Sequence, residues 1–233
     1  MRDVVVIGGG LSGLSACYEL EKAGVGYTLI EVKPRVGGSI ACDSVEGCII
    51  DSAQMCHVIA DPVNFYTYLE RLDLQDALYS VNDRLNAFKH GTETLVSRLD
   101  ERIHPHRLSR MAVSTLGEFD NRYSICMENG MVLDAKALIV ASPARYAERM
   151  FHTLVQEISF RLLNYRYDNI AYVSMAYKHR DVPYIPDTPP DDYPLTFIHH
   201  TDQPERVRKN HVLIQLGVRF EGEPDAQLPW EIA

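Results

Sequence analysis

Gly8, Gly10 and Gly13 stand in the order G-x-G-x-x-G, and an acid, Glu31, follows eighteen residues after the last of them. Residues of these types at this spacing can hold an adenine dinucleotide. Gly8 permits a tight turn, Gly10 lets backbone approach a pyrophosphate, and Gly13 lets a helix pack closely on a strand. Leu11 and Ser12 open that helix, whose unpaired N–H groups and positive end favour phosphate. The Glu31 carboxylate accepts from ribose hydroxyls, and its charge disfavours a 2′-phosphate, which argues against NADP.

These residues need particular elements to position them, and the flanking sequence supplies them. Val4 to Ile7 is an unbroken β-branched run, the pattern of a buried parallel strand. Leu11, Leu14, Ala16, Cys17 and Leu20 fall on roughly one helical face, as a crossover helix requires. Tyr27 to Ile30 reads as a second strand ending at Glu31. With strand, glycines, helix, strand and acid in register, a nucleotide site is favoured over a ligand-free strand–turn–helix.

Composition narrows the class. At 233 residues the chain can form one large domain or two modest ones. A formal net charge of −9 without any basic run argues against nucleic acid or an anionic membrane surface as partner. The five cysteines are odd in number and form no C-x-x-C pair, which points to free thiols in a reducing compartment. No apolar run is long enough to span a bilayer and no signal peptide precedes the first strand, so the expectation is a cytoplasmic chain with no integral membrane segment.

Past Glu31 comes Val32-Lys33-Pro34-Arg35-Val36-Gly37-Gly38-Ser39. A cation followed by Gly-Gly permits a second close approach to phosphate, with Arg35 adding charge. Taken together, Gly8-x-Gly10-x-Ser12-Gly13, Glu31 and Arg35-x-Gly37-Gly38 resemble the N-terminal signature of the flavin-containing amine oxidase and protoporphyrinogen oxidase superfamily. The resemblance implies FAD, held by Gly8, Gly10, Leu11, Ser12, Gly13, Glu31, Val32, Arg35, Gly37, Gly38 and Ser39. Ser39 stands where many members carry Arg. Asp51-Ser52-Ala53-Gln54 resembles the turn that leads to the flavin ring, with Ala53 in a glycine's place. Asp51 can equally be a turn former capping the Pro62 helix, and Met55, Cys56 and His57 can pack in the core or touch the flavin.

Other motifs follow in the superfamily's order. Asp61-Pro62 starts a helix with Phe65, Tyr68, Leu69 and Leu72 as its core stripe. Gly91, Leu95 and Leu99 resemble the helix that returns the chain to the FAD domain, after a shortened substrate-domain insert. Strands are expected over Arg107 to Leu116, Arg122 to Glu128 and Met131 to Leu133, joined by Gly-Glu-Phe-Asp-Asn and Glu-Asn-Gly turns. Val113 resembles the valine whose backbone meets the adenine. Ala135 to Pro143, including Ala141, resembles the strand beneath the cofactor. Further strands are expected at Ile170–Tyr177, Leu195–His200 and His211–Val218, with a proline-rich loop or lid over Asp181–Pro194. Nothing after Val218 resembles the superfamily's closing Gly-Asp motif.

The expected fold is α/β: a Rossmann-like FAD-binding domain with a parallel sheet and a β-hairpin insertion (1–60 and 86–150), plus a reduced β-rich substrate-side module (61–85 and 151–233). Flavin carries its own redox chemistry, so no catalytic side chain is singled out. His104-x-His106 and His199-His200 lack metal-site spacing, and no metal is assigned. His199 and His200 point to opposite faces of their strand, and Tyr165, Tyr167, Tyr172 and Tyr177 can line a cavity or pack on a sheet. The expected activity is FAD-dependent hydride abstraction from a C–N or C–C bond of a small-molecule substrate. The alternative is a catalytically incomplete FAD-binding subunit whose site is completed by a second chain or copy.

Overall fold

The computed structural model describes residues 2–53, 55–81, 83–182, 195–200 and 205–219. Gln54, most of the proline-rich stretch before Leu195 and the residues after Arg219 therefore lie outside the described residues. Along the chain the elements are β1 (Arg2–Ile7), α1 (Leu11–Lys22), β2 (Tyr27–Glu31), β3 (Cys42–Val45), β4 (Cys48–Asp51), β5 (His57–Val58), α2 (Pro62–Arg71), β6 (Leu78–Ser80), β7 (Leu85–Phe88) and α3 (Glu93–Arg102). There follow β8 (His106–Ser109), β9 (Val113–Phe119), β10 (Arg122–Met127), β11 (Val132–Val140), α4 (Ala144–Phe151), α5 (Gln156–Leu163), β12 (Ile170–Lys178), β13 (Leu195–His200) and β14 (His211–Arg219). They form two compact units, Met1–Ile40 with Val96–Arg166 and Ala41–Leu95 with Tyr167–Ala233. These bounds differ from those read in the sequence: 41–60 and 86–95 pack with the second unit, and 151–166 with the first.

The first unit is built on one sheet in the order β8-β2-β1-β11-β10-β9. β8, β2, β1 and β11 run parallel, while β10 and β9 are antiparallel additions. This is the Rossmann-like α/β arrangement with a hairpin added at one edge. Val5 and Ile7 of β1 and Ile30 of β2 share a core with Val113, Leu116, Ile125, Met127, Ala135 and Met150. β-Branched residues suit such a pleated, fully buried surface.

The element boundaries correct the sequence reading in three places. The expected Arg107–Leu116 strand is broken between β8 and β9, where Arg110 takes φ +58°. Gly117-Glu118-Phe119 belongs to β9, and the turn is Asp120-Asn121, both at positive φ as a two-residue hairpin of this hand requires. The expected Met131–Leu133 strand and the Ala135 run are one strand, β11, which pairs antiparallel with β10 over Val132–Ala135 and parallel with β1 over Ala135–Val140. Helices α4 and α5 are additions for which no sequence expectation was formed.

The second unit is mainly β. Its sheets are β12-β14-β13, the hairpin β3-β4, and β5-β7-β6, all antiparallel. Cys48, Met55, Cys56, Ala87, Val207 and Leu213 form a core there. In α2, Leu69 and Leu72 are buried and Phe65 and Tyr68 half-buried, the stripe expected from spacing. Its N-cap is Asp61, whose Oδ1 accepts the Asn64 N–H at 3.2 Å, so Asp51 does not cap it. Among the described residues no helix is long and apolar enough to cross a membrane.

Candidate functional site

In the first unit the chain leaves β1, turns at Gly8 and enters α1 at Leu11. Gly8 takes φ +104°, and a Cβ there would meet the Ala141 carbonyl oxygen at 2.7 Å. At Gly13 a Cβ would come within 1.8 Å of the Gly8 carbonyl oxygen, so only glycine lets the helix lie this close to the strand end. The Ala141 N–H bonds the Ile7 carbonyl at 2.8 Å and brings the end of β11 against the same turn. No side chain caps α1, and its first turn carries no acid. Helix geometry therefore leaves first-turn N–H groups at Ser12 and Gly13 available to an anion.

The second glycine turn is bonded to the first. The Gly37 N–H donates to the Gly9 carbonyl at 2.7 Å, Gly10 and Gly37 form a parallel bridge, and a Cβ on Gly38 would lie 3.2 Å from the Gly10 Cα. Arg35 sets this turn. Its guanidinium donates to the carbonyls of Val36 (3.0 Å), Ile40 (3.0 Å) and Gly38 (3.2 Å), and the Lys33 ammonium donates to Gly38 at 3.1 Å. The sequence reading had Arg35 adding charge toward phosphate. In the structure three of its N–H groups bond the loop's own carbonyls.

Glu31, only 5% exposed, is held by backbone donors on both oxygens. Gly9 N–H donates to Oε2 at 2.6 Å and Lys33 N–H to Oε1 at 2.7 Å. Each carboxylate oxygen has a further lone pair for a ribose hydroxyl. The Met111 N–H bonds the Glu31 carbonyl at 3.1 Å, which brings the segment leading into Val113 beside the acid. Val32 and Ser39 are exposed on the connecting loop. One atom near this turn fits a ligand-binding role: the Ser142 hydroxyl is buried without a hydrogen-bond partner among the described residues. It also lines a cavity of about 680 Å³ with Leu138, Val140, Ala147, Phe151 and Ile158. The cradle between glycine turns, the uncapped helix start and the acid are of the kind an adenine dinucleotide fits.

Met55 belongs to the second unit, where its side chain is fully buried and its N–H donates to Gln215 Oε1 at 3.0 Å. Cys56 is buried beside it, whereas His57 is half-buried. Ala53, in the place of a glycine, takes no left-handed conformation. All five cysteines are free. Tyr165, Tyr167 and Tyr177 are exposed and Tyr172 half-buried. Sequence reasoning missed the partner of Asp51, which is the buried Arg206, 155 residues away. No spacing rule could have found it.

Residues 6–72 match the family described as NAD(P)-binding Rossmann-like domain. Polyamine oxidase 5 of Oryza sativa subsp. japonica is 46% identical over 94 residues, which covers 40% of this chain and 19% of that protein. The Arabidopsis thaliana protein named probable polyamine oxidase 4 is 38% identical over 73 residues, covering 31% and 15%. In three dimensions, a protein assigned as a protoporphyrinogen oxidase from Exiguobacterium sp. 255-15 matches with a TM-score of 0.73 at 12% identity, covering 94% of this chain and 77% of that one. The chain is thus similar in part of its sequence to polyamine oxidases, and in its fold to a protoporphyrinogen oxidase. Its sequence match to the two plant proteins covers less than a fifth of their own length. The structural match, at so low an identity, speaks for the fold.

Proposed function

We propose that the chain binds FAD in its first unit and serves an oxidoreductase of the amine oxidase or protoporphyrinogen oxidase type. The substrate would be a small organic molecule that yields hydride from a C–N or C–C bond. The observation that carries this reading is the pair of mutually bonded glycine turns, Gly8–Gly13 and Gly37–Gly38, with the Glu31 carboxylate beneath them. The name of a further relative, a flavin-containing monoamine oxidase of Dictyostelium discoideum, supports the choice of a flavin.

When bound, FAD supplies the hydride acceptor. This chain's residues hold it. Gly8, Gly10, Leu11, Ser12 and Gly13 present backbone and the helix start to the pyrophosphate, and Glu31 accepts from the ribose. Arg35 and Lys33 keep Gly37, Gly38 and the adjoining Val32 and Ser39 in shape, and the backbones at Val113 and Ala141 complete the wall. Met55, read in the sequence as a cofactor contact, lies in the core of the second unit. The FAD-binding domain in this reading is Met1–Ile40 with Val96–Arg166. Five free thiols support a reducing, cytoplasmic setting.

Purified chain, refolded with excess FAD and desalted, should carry a flavin absorption band at about one FAD per chain. A colourless product would sink the proposal. A second reading is a FAD-binding subunit whose substrate pocket is completed by another chain or copy. Bound FAD with no dye-coupled turnover of amines until a second chain is added would select it.

A further inference from the structure

In the first unit, β11 has one open edge among the described residues. β10 pairs with it only over Val132–Ala135, and beyond Ala135 no backbone group bonds that side. On its other side β11 pairs parallel with β1 through Val140, and the Ala141 N–H donates to the Ile7 carbonyl at 2.8 Å. Backbone groups alternate between the two edges of a strand, so Ala137 and Ile139 share the β1 side with Ala141. The N–H and C=O groups of Lys136, Leu138 and Val140 therefore point away from β1, along the open edge.

A cavity of about 680 Å³ lies against this edge. It is lined by Lys136, Leu138, Val140 and Ser142, the outward-facing positions, and its far wall is α4 and α5, through Phe151 and Ile158. The Ser142 hydroxyl, buried without a partner among the described residues, continues the same row. Burial marks the gap as well. Val5, Val6 and Ile7 of β1, flanked on both sides, are no more than 4% exposed, whereas Leu138, Ile139 and Val140 are half-buried. The stretch has no proline and keeps regular register with β1, so it lacks those means of blunting an edge. Its one charge, Lys136, is held by Asp3 at 2.6 Å.

These features specify the occupant. Donors and acceptors repeating every second residue match the backbone of another strand, and Lys136 to Val140 spans about 13 Å, the length of about five extended residues. Apart from Glu118 and Lys136 the lining is uncharged. Tyr123 pairs with both Glu118 and Ala135, which puts Glu118 at the Lys136 end, where it has no ion-pair partner among the described residues. We infer that this edge binds an extended peptide segment of a partner protein by strand addition. Its alternate apolar side chains face Phe151 and Ile158, and a Lys or Arg faces Glu118. Every lining residue belongs to the first unit, and the inference does not rest on the cofactor reading.

The test uses the full chain without cofactor and a fluorescein-labelled peptide, Lys-Val-Thr-Val-Thr-Val, followed by fluorescence anisotropy. Saturable binding is expected. An added strand is paired along one edge only, so N-methylation of one alternate set of its residues should weaken binding about tenfold or more, and of the other set not at all. Leu138→Pro removes an N–H from the open edge and none from the β1 ladder, so it should fold and lose the peptide. Glu118→Lys should reverse the preference between this peptide and its Glu-headed counterpart. Absence of binding, the same effect from both methylated sets, full binding by folded Leu138→Pro, or an unreversed preference would each overturn the inference. A chain dimer that Leu138→Pro makes monomeric would assign the edge to a second copy and overturn it too. If Leu138→Pro does not fold, the methylated peptides still decide. Failure to bind FAD would defeat the cofactor reading and leave the peptide result standing.

Discussion

Among the described residues each unit buries one carboxylate, Glu31 in the first and Asp51 in the second, and the two are satisfied in opposite ways. Glu31 is held by two backbone N–H groups close to it in the same motif region, Gly9 and Lys33, with no cation on its oxygens among the described residues. Asp51 is held by a guanidinium, a hydroxyl, a thiol and one backbone N–H, gathered from residues 42, 92 and 206. A carboxylate satisfied by backbone keeps lone pairs for an incoming ligand. One satisfied by a buried Arg is committed to the fold, and its loss leaves an uncompensated charge.

The largest effect should therefore come from the second unit. Asp51→Asn strands the Arg206 guanidinium, whose Nε already lacks a partner among the described residues. A loss of about 3–5 kcal/mol is expected from urea unfolding. The double change Asp51→Leu with Arg206→Met should be milder than Asp51→Asn alone, and a double variant less stable than the single would contradict the charge argument. Glu31→Gln comes next. It leaves one of the two N–H donors facing an amide hydrogen or a weaker acceptor, costing about 1–3 kcal/mol and weakening FAD binding in titration calorimetry. If it destabilises more than Asp51→Asn, the comparison is reversed.

A smaller, pH-dependent effect belongs to His57. Its folded pKa is lowered, so its neutral form is favoured by folding. The stability this gives is present above the unfolded value of about 6.5 and is lost as pH falls toward the folded value. Relative to His57→Gln, the unmodified chain should lose stability on going from neutral to mildly acid pH; the opposite slope would refute the burial argument. Smallest of all is Lys136→Ala. This removes an exposed pair with Asp3, 2.6 Å long, and should leave the unfolding midpoint unchanged at physiological salt.

Legibility in the sequence followed the same division. β1, α1, β2 and Glu31 were readable because each is fixed by local pattern: a β-branched run, glycine places and a helical stripe. The two glycine turns were also readable, although their bond to each other was not. Arg35 was found by type, but a charge in sequence does not show that three of its N–H groups bond the loop's own carbonyls. The hairpin turn at Asp120-Asn121 was displaced by the more conspicuous Gly117, which sits within β9. Asp51 was read as a local turn or a flavin-side residue because its decisive partners, Arg206 and Thr92, come from distant segments. Met55 drew attention by position beside the motif, while His57, two residues on, is the half-exposed side chain.

The contact between Gly8 and Ala141 bears on how the chain is made. The glycine turn is made well before β11, yet its wall is the carbonyl of Ala141, and its strand pairs with β11. Parallel pairing across so long an interval requires a large loop to close before either partner gains from it. A nascent chain halted before β11 thus carries the whole dinucleotide motif without the surface that shapes it. On the proposed reading, cofactor capture belongs after β11 has been synthesised, which sets the earliest length at which a ribosome-bound chain could be stabilised by flavin.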